Sequence, residues 1–476
     1  MSNFEVSALS QVLAALDFTE SDAAGEIRII GSDPVAPSVH RLGDASAAAL
    51  AALGAELAVF WRQRGGAPQH IEVRVEEAIR QLSAPFFTTV NGVSVLELAE
   101  DPKLFSNTAF YRARENRFIH LVLSYPHLRD VVCSALDCAP THSAIAQAVS
   151  ERDAFELEEE ISRLGGAAAV VRSQREWQDH PQGRYLLDTP LVTVQKVADA
   201  PRPGPRQSGQ QPSAPLSGVR VLDNTHVIAG PIASRIMAEH GAEVLHLSKP
   251  SRPDPNAMII DTGLGKRSAF CDLTDPADVE KFWATLADAD LFVNSYLGLE
   301  GKGFGVEQLI ARRPGLIVLN VRSWGIAGDW AQRRGFDQPV CAATGIATEE
   351  GSSQAPQLPP THLLNDYLAA LLGAAGAVEA LRRRERDGGS YTVQVDLARM
   401  SMWVQSLGLF EPELVQDLPR PSLTGPVPGL QKIAGSWGSV SYLPSQIRYS
   451  NYRPEFSTAG EPLGASELAW AAEPQE

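Results

Sequence analysis

Cysteine is scarce in this chain. Only Cys133, Cys138, Cys271 and Cys341 are present, with no CxxC spacing and no Cys/His cluster. Neither a disulfide framework nor a metal site is expected from them, and a reducing cytoplasm fits. Positive charge is also short. Lys and Arg number 41 against 57 Asp and Glu, a net charge of −16. That balance argues against a general nucleic-acid or membrane partner while leaving room for a local basic pocket. The opening Met1-Ser-Asn-Phe-Glu-Val has no basic region and no sustained apolar core, so no signal peptide is expected. No apolar run approaches the roughly 20 residues that a membrane span needs. What remains is ordinary globular composition, 44% hydrophobic and 21% charged, and 476 residues is enough for two or three domains.

The most informative stretch is Leu363-Leu-Asn-Asp-Tyr-Leu-Ala-Ala370. After Asp366, Leu368, Leu371, Leu372, Ala375, Val378 and Leu381 recur at helical spacing. Gly373 and Gly376 would let another element approach closely. Arg382, Arg383, Arg384 and Arg386 suit the negative end of the helix dipole, Gly388-Gly389 stops the helix, and a strand, Tyr391 to Leu397, follows. An Asp at a helix start is most often only a cap. The same plan occurs near the N-terminus. A helix from Asp44 to Arg64, then Gly65-Gly66 and a strand from His70 to Val75, aligns with it without a gap at an offset of 322 residues. Asp44 falls on Asp366, Gly54 on Gly376, Arg62 on Arg384, Gly66 on Gly388 and Val73 on Val395. This reads as an internal duplication of a helix–strand unit.

Composition divides the chain further. Residues 1–95 hold the duplicated segment, and 96–200 read as a small α+β domain with a return segment. Within it Thr141 to Leu164 reads as helix, and Asp179-His180-Pro181 as a turn. Residues 201–217 are a Pro-rich linker, semi-extended and exposed. From 218 to 405 short apolar strands alternate with helices, which implies an α/β fold: an open parallel Rossmann-like sheet with helices on both faces. Ligands bind such sheets at the carboxyl ends of the strands. Residues 406–476 lose the alternation and read as a tail that packs on other elements.

The block from Gly218 resembles the family III CoA-transferases, among them the formyl-CoA and carnitine-CoA transferases. The residues that carry the likeness are Gly218-Val-Arg-Val-Leu-Asp-Asn-Thr-His-Val-Ile-Ala-Gly-Pro231, Gly241-Ala-Glu-Val-Leu-His-Leu with Lys249-Pro250, Gly263-Leu-Gly-Lys-Arg-Ser268 with Asp272-Leu273, Gly335-Phe-Asp337, and Asn365-Asp366-Tyr-Leu-Ala-Ala370. Residues 44–200 resemble a later part of the family's chain, so the usual domain order is rearranged, as in a truncated tandem duplication. The resemblance implies the family fold, a homodimer of interlocking chains, and Asp366 as catalytic nucleophile, with Asp44 its non-catalytic counterpart. It implies transfer of CoA from an acyl-CoA to a free carboxylic acid through a mixed anhydride and an aspartyl-CoA thioester, with no permanently bound cofactor. It also implies a CoA site built from His226, Val227, Ile228, Lys249, Lys266, Arg267, Tyr296, Lys302, Arg322 and Trp324.

Two other readings compete. An alpha-methylacyl-CoA racemase would place a proton-transferring His where this chain has Phe336. A non-catalytic CoA-binding scaffold would fit the shortened architecture. The glycine-rich loop that closes over the Asp in some relatives is not evident, and Asn91-Gly92 is a poor substitute for it.

Overall fold

The computed structural model describes residues 7–19, 22–98, 107–204, 212–420 and 429–471. Its centre is a seven-stranded sheet. Six strands run parallel in the order Lys266–Phe270, Glu243–Ser248, Arg220–Asn224, Leu291–Asn294, Ile317–Arg322 and Ser390–Asp396. The direction of strand succession reverses between Arg220–Asn224 and Leu291–Asn294, the position where doubly wound sheets bind ligands. The seventh strand, Thr193–Ala198, comes from the first half of the chain and adds antiparallel to Ser390–Asp396.

The duplicated units are packed against each other. Helix Leu364–Asp387 lies along helix Leu42–Gln63, and both are buried over most of their length. By length and composition the Leu42–Gln63 helix could cross a membrane, contrary to the expectation that no stretch would, but here it is a core helix. Strands Ile27–Ile30 and Ile71–Arg74 pair in parallel, as Ile317–Arg322 and Ser390–Asp396 do. A short helix follows each second strand directly, Val75–Gln81 in one copy and Leu397–Ser406 in the other, so the duplication extends further than the sequence showed.

Each copy also receives its antiparallel third strand from elsewhere in the chain. Arg448–Tyr449, in the tail, joins Ile71–Arg74, just as Thr193–Ala198 joins Ser390–Asp396. The glycines explain how closely these strands approach the helices. A Cβ on Gly376 would lie 2.8 Å from both Val192 and Val393, and one on Gly54 would lie 2.8 Å from Ile447 and 3.0 Å from Ile71. Val192 and Ile447 each immediately precede their added strand.

The copies differ in what surrounds them. Arg384 is buried, its guanidinium donating to Asp290 at 2.9 Å and to the Gly315 carbonyl at 3.0 Å in the Rossmann-like half. Arg62, its counterpart, is exposed, because the first copy has no such half. Arg382 bridges the helices, pairing with Glu56 at 2.9 Å and with Glu379.

Other local expectations need correction. Residues 142–163 form two helices, His142–Ser150 and Ala154–Arg163, because the Asp153 carboxylate accepts the N–H groups of Phe155 and Glu156 and starts a new helix. They pack on a three-stranded sheet of Ala109–Arg112, Phe118–Leu121 and Ala168–Val170, the small domain's own core. Residues 205–211 of the linker lie outside the described residues. Its later part is docked rather than exposed: Trp61 donates to the Pro212 carbonyl, and Arg64 to those of Pro215 and Ser217. Asn91 and Gly92 both have positive φ, 51° and 87°, and form the turn of a hairpin that joins tail strand Gly438–Tyr442. His180 caps helix Pro181–Leu187 and stacks on Trp177.

Candidate active site

Asp366 stands in the first turn of the Leu364–Asp387 helix, 7% exposed. Its backbone N–H donates to Asp337 Oδ2 at 2.8 Å, and Asn365 Nδ2 reaches Asp337 Oδ1 at 3.3 Å. Asn365 is itself held by Ser401, whose hydroxyl donates to Asn365 Oδ1 at 2.7 Å. The helix start is therefore fixed through Asp337, while the Asp366 carboxylate accepts no hydrogen bond from a described residue. Burial, and then the negative charge of Asp337, push the Asp366 carboxyl well above the usual range. Burial raises Asp337 to about 6 against the pull of its backbone donors.

The wall facing this carboxylate combines both halves of the chain. Tyr125, from the first half, donates its hydroxyl to Asp254 Oδ1 at 2.9 Å, and its ring lies 6.1 Å from that of Phe336. Its phenol is pushed well up by burial first, then by Asp254, with Asp366 among the further contributors. The other oxygen of Asp254 accepts the Val227 N–H at 2.9 Å. Val227 has φ +67°, unusual for a β-branched residue and a strain of about 1–3 kcal/mol that surrounding contacts must hold. Asp254 thus ties the loop before helix Ala229–Glu239 to the small domain. Sequence reasoning missed it, and the only signal was its place between Pro253 and Pro255.

The expected CoA residues fall into two groups. His226, Val227 and Ile228 do line the sheet's switch point. His226 stacks on Tyr296 with centroids 4.4 Å apart and planes 13° apart, and its N–H donates to Ser295 Oγ at 3.1 Å. Lys249 is half-exposed and pairs with Asp272 at 3.1 Å. Lys302 is exposed, and Arg322 is half-buried at the last residue of its strand.

The remaining three bond to other parts of the chain, Lys266 and Trp324 buried and Arg267 half-buried. Lys266 is 2% exposed, donating to Asp223 at 2.9 Å and to the Pro231 carbonyl at 2.6 Å. Arg267, pointing to the opposite face of the same strand, donates to the Ala469 carbonyl of the tail. Trp324 is buried against Trp177 and Trp330, its indole N–H donating to the Arg334 carbonyl. Lys266 and Trp324 are thus closed off from solvent, whereas Arg267 is not. Asp44 is bonded on both sides: its N–H donates to Asp33 Oδ2 at 2.7 Å, and its carboxylate lies 3.5 Å from Arg41.

With this geometry in hand, the chain can be set beside known proteins. It is 29% identical over 289 residues to an acetyl-coenzyme A transferase, nodX, of Hypoxylon pulicicidum, covering 58% of this chain and 49% of that protein. It is 32% identical over 203 residues to the succinyl-CoA–L-malate CoA-transferase alpha subunit of Chloroflexus aurantiacus, covering 39% and 47%. The crystal structure of Rv3272 from M. tuberculosis superposes with a TM-score of 0.39 at 29% identity, covering 41% of this chain and 58% of that one. The chain spans about half the length of the curated relatives it matches. The sequence model of CoA-transferase family III matches it in two segments, 7–210 and 216–428, which meet at the linker between the duplicated units. By that match over nearly its whole described length, the chain belongs to the CoA-transferase family III.

Proposed function

We propose that the protein transfers CoA between carboxylic acids with Asp366 as the nucleophile. The observation that carries this reading is the Asp366 carboxylate itself. It lies at a helix start whose backbone is pinned by Asp337, is free of hydrogen bonds from described residues, and faces a wall made by both halves of the chain. Burial beside a second carboxylate disfavours its charge, and attack on a thioester carbonyl disperses that charge.

In the proposed sequence, an Asp366 oxygen attacks the acyl carbon of acyl-CoA and the C–S bond breaks. This leaves a mixed anhydride and CoA thiolate. The thiolate then attacks the Asp366 acyl carbon, expels the donor carboxylate and forms an aspartyl-CoA thioester. The acceptor carboxylate attacks that thioester to give a second anhydride and thiolate. Return of the thiolate to the acceptor's acyl carbon yields the new acyl-CoA and restores Asp366. Each step exchanges one acyl bond for another, and Tyr125 and Phe336 help keep water from the anhydrides.

On the nucleotide side, His226, Tyr296 and the backbone of Val227 and Ile228 flank the switch point, with Lys249, Lys302 and Arg322 the cations nearest to free. The racemase alternative lacks support, since Phe336 packs on Tyr125 and has no proton to exchange. The test is mass spectrometry after incubation with a panel of acyl-CoAs and hydroxylamine. A hydroxamate at Asp366 is expected. Turnover without any Asp366 adduct would overturn the assignment.

A further inference from the structure

Helix Pro126–Leu136 of the small domain starts directly after Tyr125 and ends in a turn flanked by two cysteines. Asp137 closes the helix in the left-handed region, at φ 48° and ψ 49°. Asp is one of the few residues besides Gly that visit this region readily. The Cys138 N–H donates to the Cys133 carbonyl at 3.1 Å, and the Asp137 N–H donates to that of Ser134 at 3.4 Å. Two such bonds around a left-handed residue make a Schellman motif, in which the side chains at the two ends lie against each other. Here those ends are Cys133 and Cys138.

With ordinary bond lengths and angles, the 3.1 Å hydrogen bond sets the two Cα atoms about 6 Å apart. A disulfide spans about 4.4–6.8 Å between Cα atoms, so the backbone already has the spacing that one requires. Both cysteines are free and half-buried, and both pack against the small domain's core. Burial raises the Cys133 thiol, and Cys138 adds to it. Burial raises the Cys138 thiol too, with Cys133 pulling it down by hydrogen bonding. The other two cysteines differ. Cys271 and Cys341 are buried, and Cys341 donates to Asp337 at 3.5 Å.

We propose that Cys133 and Cys138 form a reversible disulfide, which makes the end of helix Pro126–Leu136 a modification site for low-molecular-weight disulfides. The Cys138 thiolate attacks one sulfur of such a disulfide. Its S–S bond breaks, and one small thiolate leaves. The Cys133 thiolate then attacks the Cys138 sulfur of the mixed disulfide and expels the second small thiolate. The protons lost by Cys133 and Cys138 end on the two released thiolates. The protein is oxidised by two electrons, and one small disulfide is reduced to two thiols. Thiolates are the attacking species, so closure quickens as pH rises. The bond clamps the end of the helix opposite Tyr125.

The test incubates the folded whole protein with oxidised and reduced glutathione in stepped ratios. Acid quenching, unfolding and alkylation follow, then cleavage before aspartate and mass spectrometry. Cuts before Asp130, Asp137 and Asp153 part Cys133 from Cys138, so their peptides stay together only if the thiols are joined. The joined pair should be the main oxidised product and should revert in excess reduced glutathione, while Cys271 and Cys341 are alkylated throughout. In Cys133→Ser, glutathione should remain on Cys138. The folded chain should close the bond at a glutathione ratio about tenfold more reducing than the chain in urea, because the turn presets the geometry. Glutathione carried on Cys133 or Cys138 of the wild type, with no joined peptides, would overturn the proposal. So would joining of either residue to Cys271 or Cys341, or equal closure in the folded and unfolded chains.

Discussion

Asp33 accepts the backbone N–H of Asp44 at 2.7 Å, and Asp337 accepts that of Asp366 at 2.8 Å. Both acceptors are raised to about 6, in each case chiefly by burial. The two duplicated helices therefore begin in the same way. Their leading carboxylates differ, because Asp44 is held near Arg41 and accepts the Asp33 N–H at 3.3 Å, whereas Asp366 is left open.

The first prediction follows from that contrast. Asp366→Ala should lower turnover by at least about a thousandfold while the protein stays folded by circular dichroism. Asp44→Ala should leave turnover and the Asp366 hydroxamate in place. Comparable losses in both variants would show that the two copies act together.

Asp337 should contribute, after burial, to the pH dependence of the reaction. In the proposed mechanism only ionised Asp366 attacks, so kcat/KM should climb with pH along a limb lying above the ordinary carboxylate value. In Asp337→Asn the like charge is gone, and the limb should move to lower pH. A limb that stays in place would mean that Asp337 does not govern Asp366.

The copies are also joined by a buried histidine. His40 Nε2 lies 2.9 Å from Glu349 and Nδ1 2.7 Å from Glu350. Burial alone would lower it, but the two carboxylates outweigh burial and raise it to about 9 from 6.5. A raised folded-state value stabilises the protein fully below pH 6.5, and that stability is lost as pH rises through 9. The contribution is about 3 kcal/mol. Urea titrations of wild type and His40→Gln should differ most near pH 6 and converge above pH 9. A constant difference across that window would show that the imidazolium contributes nothing.

Close packing at the glycines gives a fourth test. Gly376→Ala should cost about 1–3 kcal/mol, because Val192 and Val393 would have to move. Gly65→Ala is a poor control, since φ there is +90°. Gly301→Ala, with open space and ordinary φ, should be near neutral. Thermal melting measures both.

Fifth, residues 218–476 alone should show no transferase activity, and adding residues 1–200 should restore it. Removing the first half exposes the apolar face of helix Leu364–Asp387 and takes Tyr125 from the site. A fully active 218–476 fragment would refute the two-half site.

The fold could be read where local patterns and topology agree. The alternation after Gly218 dictates a parallel sheet, and the matching Asp, Gly and Arg spacings of the two helices disclosed the duplication. What escaped depended on distant partners. Lys266 and Arg267 read as a basic pair, but neighbours on a strand face opposite ways, so one meets Asp223 and the other the tail. Trp324 followed a strand, as a binding residue would, yet Trp177 and Trp330 enclose it. Two of the tail's strands, Gly438–Tyr442 and Arg448–Tyr449, were hard to read because each joins a strand that lies more than 300 positions earlier. Tyr125 and Asp254 meet only because the first half docks on the second.

Thr193–Ala198 crosses to the second copy's sheet, and Arg448–Tyr449 crosses to the first. The two walls of the site are thereby leashed to each other within one chain, and their encounter is governed by tether length rather than by how much protein is present. On the function proposed above, such a leash should keep the specific rate constant on dilution, whereas a site assembled from separate pieces would lose activity as the pieces drift apart.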